Sequence, residues 1–178
     1  MLFSEVDNVP ILAQATAKRV GQVLRYSIDS ARNTIVAIHA VHLPLAQVAA
    51  ALHLPSATER FPGLIVEWGD IVGFGKDAMI VKSEESLRPP QTEEEERLVH
   101  GDFDLEKKLA LSDRGGRLGV VRDIAFDPTT GHVEQLILDN DKILPATLSA
   151  ISPYAVVVIN PPPLRPSQRP RRCSVPVT

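Results

Sequence analysis

The chain contains the stretch Val20-Gly-Gln-Val-Leu-Arg-Tyr-Ser-Ile-Asp29 and repeats its pattern, without a gap, as Leu118-Gly-Val-Val-Arg-Asp-Ile-Ala-Phe-Asp127. The two copies are 98 residues apart, and similarity at a fixed spacing is the signature of a repeated structural unit. Each copy continues through a polar turn into an apolar run, residues 35–41 in the first copy and 133–138 in the second. The sequence therefore predicts two β-hairpins.

The residues in the two turns support this prediction. Asn33 and Gly131 occupy equivalent places and are residue types that tolerate the left-handed conformation of tight hairpins. Asp29 and Asp127 precede the turns, where an aspartate accepts backbone amide hydrogen bonds. We assign structural turn roles to eight residues: Gly21, Asp29, Asn33, Gly75, Asp77, Gly119, Asp127 and Gly131.

A second pair of similar stretches, residues 71–81 and 148–158, is 77 residues apart. The shorter spacing means that the first copy has 21 additional residues between its hairpin and its closing strand. We place this insertion at about residues 43–63, where Pro44 can open a short helix. One face of that helix is a candidate interaction surface, formed by Leu45, Val48 and Leu52.

The order of these motifs resembles the PRC-barrel family, the small β-barrel of the photosynthetic reaction centre H subunit and of the C-terminal part of RimM-type ribosome maturation factors. The first copy has the ending, Phe74-Gly-Lys-Asp-Ala-Met-Ile-Val81, and the second has the clearer middle, from Gly119 to Gly131. The resemblance implies a mainly β fold with two tandem barrels. It also implies protein–protein contact in an assembly, with a ribosome-maturation-like role as an alternative.

Charge divides the chain into four segments. Residues 1–83 and 107–159 are each neutral and correspond to the two expected barrels, the first with the insertion. Residues 84–106 carry a net charge of −7, and residues 160–178 carry +4 together with six prolines. This composition predicts an acidic, partly helical linker and an extended, disordered tail.

The acidic linker is a candidate docking site for a basic partner or for the chain's own tail. Thr92 and Glu95 have the spacing of a capping box, and Gly101 can end the helix. Negative charge is favoured in the first turn of a helix, where four glutamates follow one another: Glu93, Glu94, Glu95 and Glu96. A solvated linker helix without a partner is the alternative.

The tail is a candidate contact with nucleic acid or an acidic membrane, because basic side chains are attracted to anionic surfaces. Its basic residues are Arg165, Arg169, Arg171 and Arg172. Aromatic residues make up only 4% of the chain, so a platform for stacking single-stranded bases has little to build with. A solubilising end without a specific partner is the alternative.

The sequence offers no set of residues that supports catalysis, a cofactor or a metal ion. His39 and His42 are three apart in a predicted strand and therefore point to opposite faces. Asp139-Asn-Asp141 lacks the later acidic ligand of a calcium loop and is expected to be a polar hairpin turn. The single Cys173 excludes an intrachain disulfide and fits a reducing cytoplasm. We therefore predict a non-enzymatic, cytoplasmic adaptor that binds an unidentified protein and can form a homodimer.

Overall fold

A computed structural model of the protein describes residues 1–42 and 63–159. This part of the chain is mainly β, as predicted, and forms two six-stranded sheets. The first sheet contains β1 (Pro10–Ala13), β2 (Arg19–Asp29), β3 (Thr34–His42), β4 (Leu64–Glu67), β5 (Ile71–Phe74) and β6 (Met79–Val81). The second contains β7 (Leu109–Ser112), β8 (Arg117–Phe126), β9 (Val133–Leu138), β10 (Ile143–Pro145), β11 (Leu148–Ile151) and β12 (Ala155–Val158). A short helix, α1 (Glu93–Val99), lies between the two sheets in sequence.

The two sheets have the same topology. Their strand orders are β4-β3-β2-β1-β6-β5 and β10-β9-β8-β7-β12-β11. The first strand of each unit pairs in parallel with the last one, β1 with β6 and β7 with β12, and every other pair is antiparallel. The sequence repeat is therefore a structural repeat.

Each sheet is curled but open. In the first sheet the edge strands β4 and β5 are consecutive in sequence and are joined only by the 3-10 turn Trp68–Asp70. A flat six-stranded sheet would separate its edges by about 24 Å, whereas this connection reaches about 14 Å at most. The edges must therefore curve toward each other, although the strand pairing does not join β4 to β5.

The two predicted hairpins and their turns are confirmed. β2 pairs with β3 and β8 with β9, both antiparallel. Asn33 and Gly131 have positive φ angles of 51° and 73°. Asp29 and Asp127 each accept the backbone amide two residues further along, at 2.8 and 2.9 Å. Both turns therefore use the same two features, an aspartate that accepts a backbone amide and a residue with a positive φ angle, although their other residues differ.

Two of the glycines assigned to turns lie instead within strands. Gly21 is in β2 and Gly119 is in β8, each beside a shift in register with the preceding strand. A Cβ atom at Gly21 would lie 3.0 Å from Leu87 Cδ2, so close packing at a β-bulge explains this glycine better than a turn does. Gly75 and Asp77 lie between β5 and β6, in the turn that the sequence predicts.

The two hairpin turns join the sheets to each other. Thr34 and His132, which are 98 residues apart, form an antiparallel bridge. The bridge is flanked by two hydrogen bonds that mirror each other: Ile35 N to Gly131 O at 2.9 Å and Val133 N to Asn33 O at 2.8 Å. Equivalent residues thus contact one another across an approximate twofold axis.

The segment that precedes each sheet pairs with the other sheet. Phe126 N of β8 donates to Met1 O at 2.9 Å, and Ile28 N of β2 donates to Phe103 O at 3.2 Å. This exchange ties residues at the start of the chain to the second sheet, and residues just before β7 to the first.

Aromatic residues fill the space between the sheets. Phe126 of the second sheet lies 6.2 Å from Phe3, 5.8 Å from Phe74 and 6.2 Å from Trp68, measured between ring centroids. Phe3 also packs edge-on against Tyr26 at 4.3 Å. Buried side chains of both sheets form one cluster. A unit of this size has a marginal core by itself, so each unit depends on apolar contacts with the other.

Two predicted features lie outside the described residues. They are the insertion helix, with Leu45, Val48 and Leu52, and the tail, with Arg165, Arg169, Arg171 and Arg172. No helix in the described ranges is long and apolar enough to cross a membrane.

Candidate interaction surface

The predicted acidic helix is confirmed as α1, and Thr92 caps it. Glu95 N donates to Thr92 Oγ1 at 3.2 Å, and Gly101, with a φ of 84°, follows the last turn. The Glu95 carboxylate accepts hydrogen bonds from Gln91 N at 2.6 Å and from the Arg88 guanidinium. A hydrogen bond from the Thr92 backbone also lowers the pKa of Glu95.

Arg88 fastens α1 to the first sheet. Its guanidinium donates to both carboxylate oxygens of Glu95, at 2.6 and 3.0 Å, and to Glu67 Oε1 of β4 at 2.5 Å. The backbone of Arg88 also exchanges two hydrogen bonds with Ile65 of β4, at 2.8 and 3.1 Å. A bidentate arginine–carboxylate pair is strong and directional, so the start of α1 has a defined position on β4.

We call the contacts of Arg88 with Glu95 and Glu67 the clamp. It holds Arg88 and Glu95 in their charged forms. Hydrogen bonds from Arg88, and then from the Gln91 backbone, lower the pKa of Glu95 to about 2. The same contacts with Glu95 and Glu67 raise the pKa of Arg88. Both carboxylate oxygens of Glu95 are therefore bound within the chain. We no longer count Glu95 among the residues available to a partner.

The other three glutamates of the first turn remain exposed. Glu93, Glu94 and Glu96 have no ion pair within residues 1–42 and 63–159. We call these three residues the acidic face. It presents three carboxylates on a helix whose position is set by Arg88.

Replacing Arg88 with methionine is expected to lower the free energy of unfolding by about 1–3 kcal/mol, because charge-assisted hydrogen bonds to two carboxylates are lost. Urea denaturation measures this change. Arg122→Met is the matched control, since the exposed Arg122–Asp141 pair, at 3.5 Å, contributes at most about 1 kcal/mol. Equal losses in the two variants would contradict the clamp.

A buried serine–histidine pair lies in the first sheet. Ser27 Oγ and His39 Nε2 are 2.7 Å apart, the geometry of an activated nucleophile. Both side chains are at most 2% exposed, so a substrate has no access to the hydroxyl group. Burial, followed by the charge of Arg25, lowers the pKa of His39 to about 4. The pair is therefore a neutral part of the core.

His42, three residues after His39 on the same strand, is exposed. The two histidines thus lie on opposite faces of the strand, as predicted.

A second charged cluster lies beside Tyr26. Burial raises the pKa values of Asp104 and Glu106 and lowers that of Lys108. Asp104 lies 3.8 Å from Lys108 Nζ and 4.0 Å from Arg25 Nη1. Asp104 belongs to the acidic stretch of residues 84–106, but its side chain is only 15% exposed and lies in these two ion pairs.

No group of histidine, cysteine, aspartate or glutamate side chains in the described ranges is arranged to hold a metal ion. Asp139-Asn-Asp141 connects the antiparallel strands β9 and β10, and Asn140 Nδ2 donates to Leu118 O at 2.9 Å. The predicted polar hairpin turn is confirmed.

Sequence reasoning missed one exposed aromatic residue, Tyr154. It is 75% exposed in the turn between β11 and β12. The equivalent residue of the first unit, 77 positions earlier, is Asp77, so the turn itself does not require an aromatic side chain. The replacement of a polar by an aromatic residue between copies was visible in the sequence and could have identified it. Exposed tyrosines are frequent anchors of protein contacts.

No known protein family matches the chain, and no curated protein matches it.

Proposed function

We propose that the protein is a non-catalytic adaptor in which the acidic face of α1 contacts a basic segment of a partner protein. One observation carries this proposal: Arg88 fixes the helix on β4 while Glu93, Glu94 and Glu96 stay exposed. A surface that is ordered before binding loses less conformational entropy when a partner docks.

We also propose that the two sheets are tandem barrels of the PRC type. The equal strand orders and the short connection between the edge strands support this reading. The resemblance of the repeated motifs to PRC barrels supports it as well, and the contacts that such barrels make in assemblies agree with an adaptor role.

The charge of the acidic face favours a protein over nucleic acid or an anionic membrane. Three carboxylates on one turn repel phosphate groups and attract lysine and arginine. Exposed ion pairs each contribute about 0.5 kcal/mol, so three of them change an affinity by about tenfold. They can select and orient a basic partner, while apolar contacts must supply most of the affinity.

The variant E93Q/E94Q/E96Q is expected to bind a synthetic arginine- and lysine-rich peptide about tenfold more weakly than the wild type at low salt. Fluorescence anisotropy measures the affinities. The control D77N/D113N/E134Q removes the same charge from exposed residues elsewhere and should stay within about twofold of the wild type.

Equal losses in the two variants would show only a net-charge effect and would contradict a defined acidic face. Nucleic acid and anionic vesicles are the further probes. Salt-sensitive binding of either one by the full chain, lost in a chain that stops at residue 160, would favour the tail as the functional segment instead.

A further inference from the structure

The structural repeat continues to the last described residue. In the first unit Lys82 N donates to Asp70 O at 3.1 Å, and in the second Ile159 N donates to Thr147 O at 2.8 Å. Both donor and acceptor are 77 residues apart between the units. When the chain leaves β12, it therefore still follows the path that it takes after β6.

The sequence repeat continues further, at the same spacing. Leu87-Arg-Pro89 recurs as Leu164-Arg-Pro166, again 77 residues later and without a gap. The start of the basic tail thus has a counterpart in the first unit whose structure is known.

In the first unit this segment covers the outer edge of the sheet. The backbone N–H and C=O of Arg88 both bond to Ile65 of β4, and Leu87 packs over Gly21 of β2. The side chain of Ile65 is buried, with 1% of its surface exposed. Residue 88 acts as one added strand position on an edge that would otherwise be unpaired.

In the second unit, no described residue covers the corresponding edge. Ile65 pairs with His39, and Ile143 pairs with Ile137, which is 98 residues after His39, so Ile143 is the counterpart of Ile65. Ile143 is 58% exposed, and β10 ends the strand order of its sheet. Exposed apolar edge strands invite pairing with another chain and are usually covered.

We propose that the segment Leu164-Arg-Pro166 of the same chain covers this edge, with the backbone of Arg165 exchanging two hydrogen bonds with Ile143. The chain is long enough to do so. Ile159 N bonds to Thr147 O, and Thr147 is four residues from Ile143. The distance from Ile159 to Ile143 is therefore about 17 Å at most. The six residues from Ile159 to Arg165 span about 19 Å when extended.

The two units differ in the connection to this segment. Residues 84–86 form a 3-10 turn, whereas the counterparts are Pro161, Pro162 and Pro163. Consecutive prolines restrict the conformations open to a chain and favour extended ones, which reduces the entropy lost when such a chain joins a sheet. The guanidinium contacts differ too, because the counterpart of Glu67 is Pro145. Backbone pairing, and not an ion pair, is the interaction that the second unit retains.

Hydrogen exchange at the Ile143 amide tests the proposal in the full chain. Arg165→Pro removes the backbone donor of the pairing, and Arg169→Pro is the matched control with the same change of charge and residue type. We expect protection of the Ile143 amide to fall at least about tenfold in Arg165→Pro and to stay within about twofold in Arg169→Pro. Equal protection in all three proteins would overturn the proposal.

Disulfide formation distinguishes the chain's own tail from the tail of a second copy. Directly opposite residues that exchange hydrogen bonds have Cα atoms about 5.5 Å apart, within the range for a disulfide. In a Cys173→Ser background, Ile143→Cys with Arg165→Cys should give an intrachain disulfide under mild oxidation, and Ile143→Cys with Arg169→Cys should react much more slowly. A predominant interchain disulfide, or equal rates for the two pairs, would contradict the proposal.

Discussion

Replacing Gly131 with alanine is expected to lower the free energy of unfolding by about 2–4 kcal/mol. Gly131 has a φ of 73°, which costs an alanine about 1 kcal/mol. An added Cβ would also lie 2.7 Å from Trp68 Cε2. Trp68 packs against Phe126, so the indole ring has to move within the junction between the sheets. Overpacking of this kind costs about 1–3 kcal/mol more.

Gly115→Ala separates the two causes of this loss. Gly115 has a similar φ of 78°, but a Cβ there would meet no atom within 4 Å. Denaturant titration of both variants should show the larger loss in Gly131→Ala, by about 1–3 kcal/mol. If the two losses are the same, backbone conformation alone explains the glycine, and the contact with Trp68 has no energetic role.

Acidification is expected to destabilise the protein through His39. The folded-state pKa is about 4 and the ordinary value is 6.5, so the unfolded chain binds more protons between these two pH values. Stability from neutral His39 is complete above pH 6.5 and is lost as the pH falls toward 4. The loss amounts to about 3 kcal/mol. Protonation would add a charge in the core, where Nδ1 has no hydrogen-bond partner among the described residues.

His39→Gln tests this mechanism, because glutamine stays neutral at every pH used. We expect the wild type to lose about 3 kcal/mol relative to the variant between pH 7 and pH 4, whatever the offset at pH 7. His42→Gln is the control on the same strand, with an exposed side chain. The assignment to His39 fails if the stability difference between wild type and His39→Gln does not change with pH. The partly buried carboxylates Asp104 and Glu106 are present in all three proteins, so their contributions cancel in the comparison.

The local elements of the fold were predictable because short stretches of sequence determine them. Asn33 and Gly131 indicated the hairpin turns, Asp29 and Asp127 the amide contacts within them, and Thr92 the start of α1. Each feature depends on residues within four positions of one another. The repeat strengthened the prediction, because two different sequences indicated the same hairpin.

The interaction surface was only partly predictable. Four consecutive glutamates identified the acidic helix, but no local pattern showed that Glu95 belongs to Arg88, or that Arg88 also binds Glu67, 21 residues away. The sequence also gave no sign that Asp104 is largely buried. The carboxylates look alike in sequence and differ only in which cation the fold brings beside them.

The sequence by itself determined the two hairpins with their turns, the acidic helix, the repeat spacings and the charge of each segment, since these follow from periodicity, backbone preference and composition. Only the tertiary structure decided that the units exchange their leading segments, that Trp68 lies over Gly131 and that Ser27 meets His39. It also showed the backbone pairing of Arg88 with Ile65, on which the proposal for Leu164-Arg-Pro166 rests. The physical reason is distance along the chain: these contacts join residues that no local preference links, and the curl and packing of the sheets bring them together.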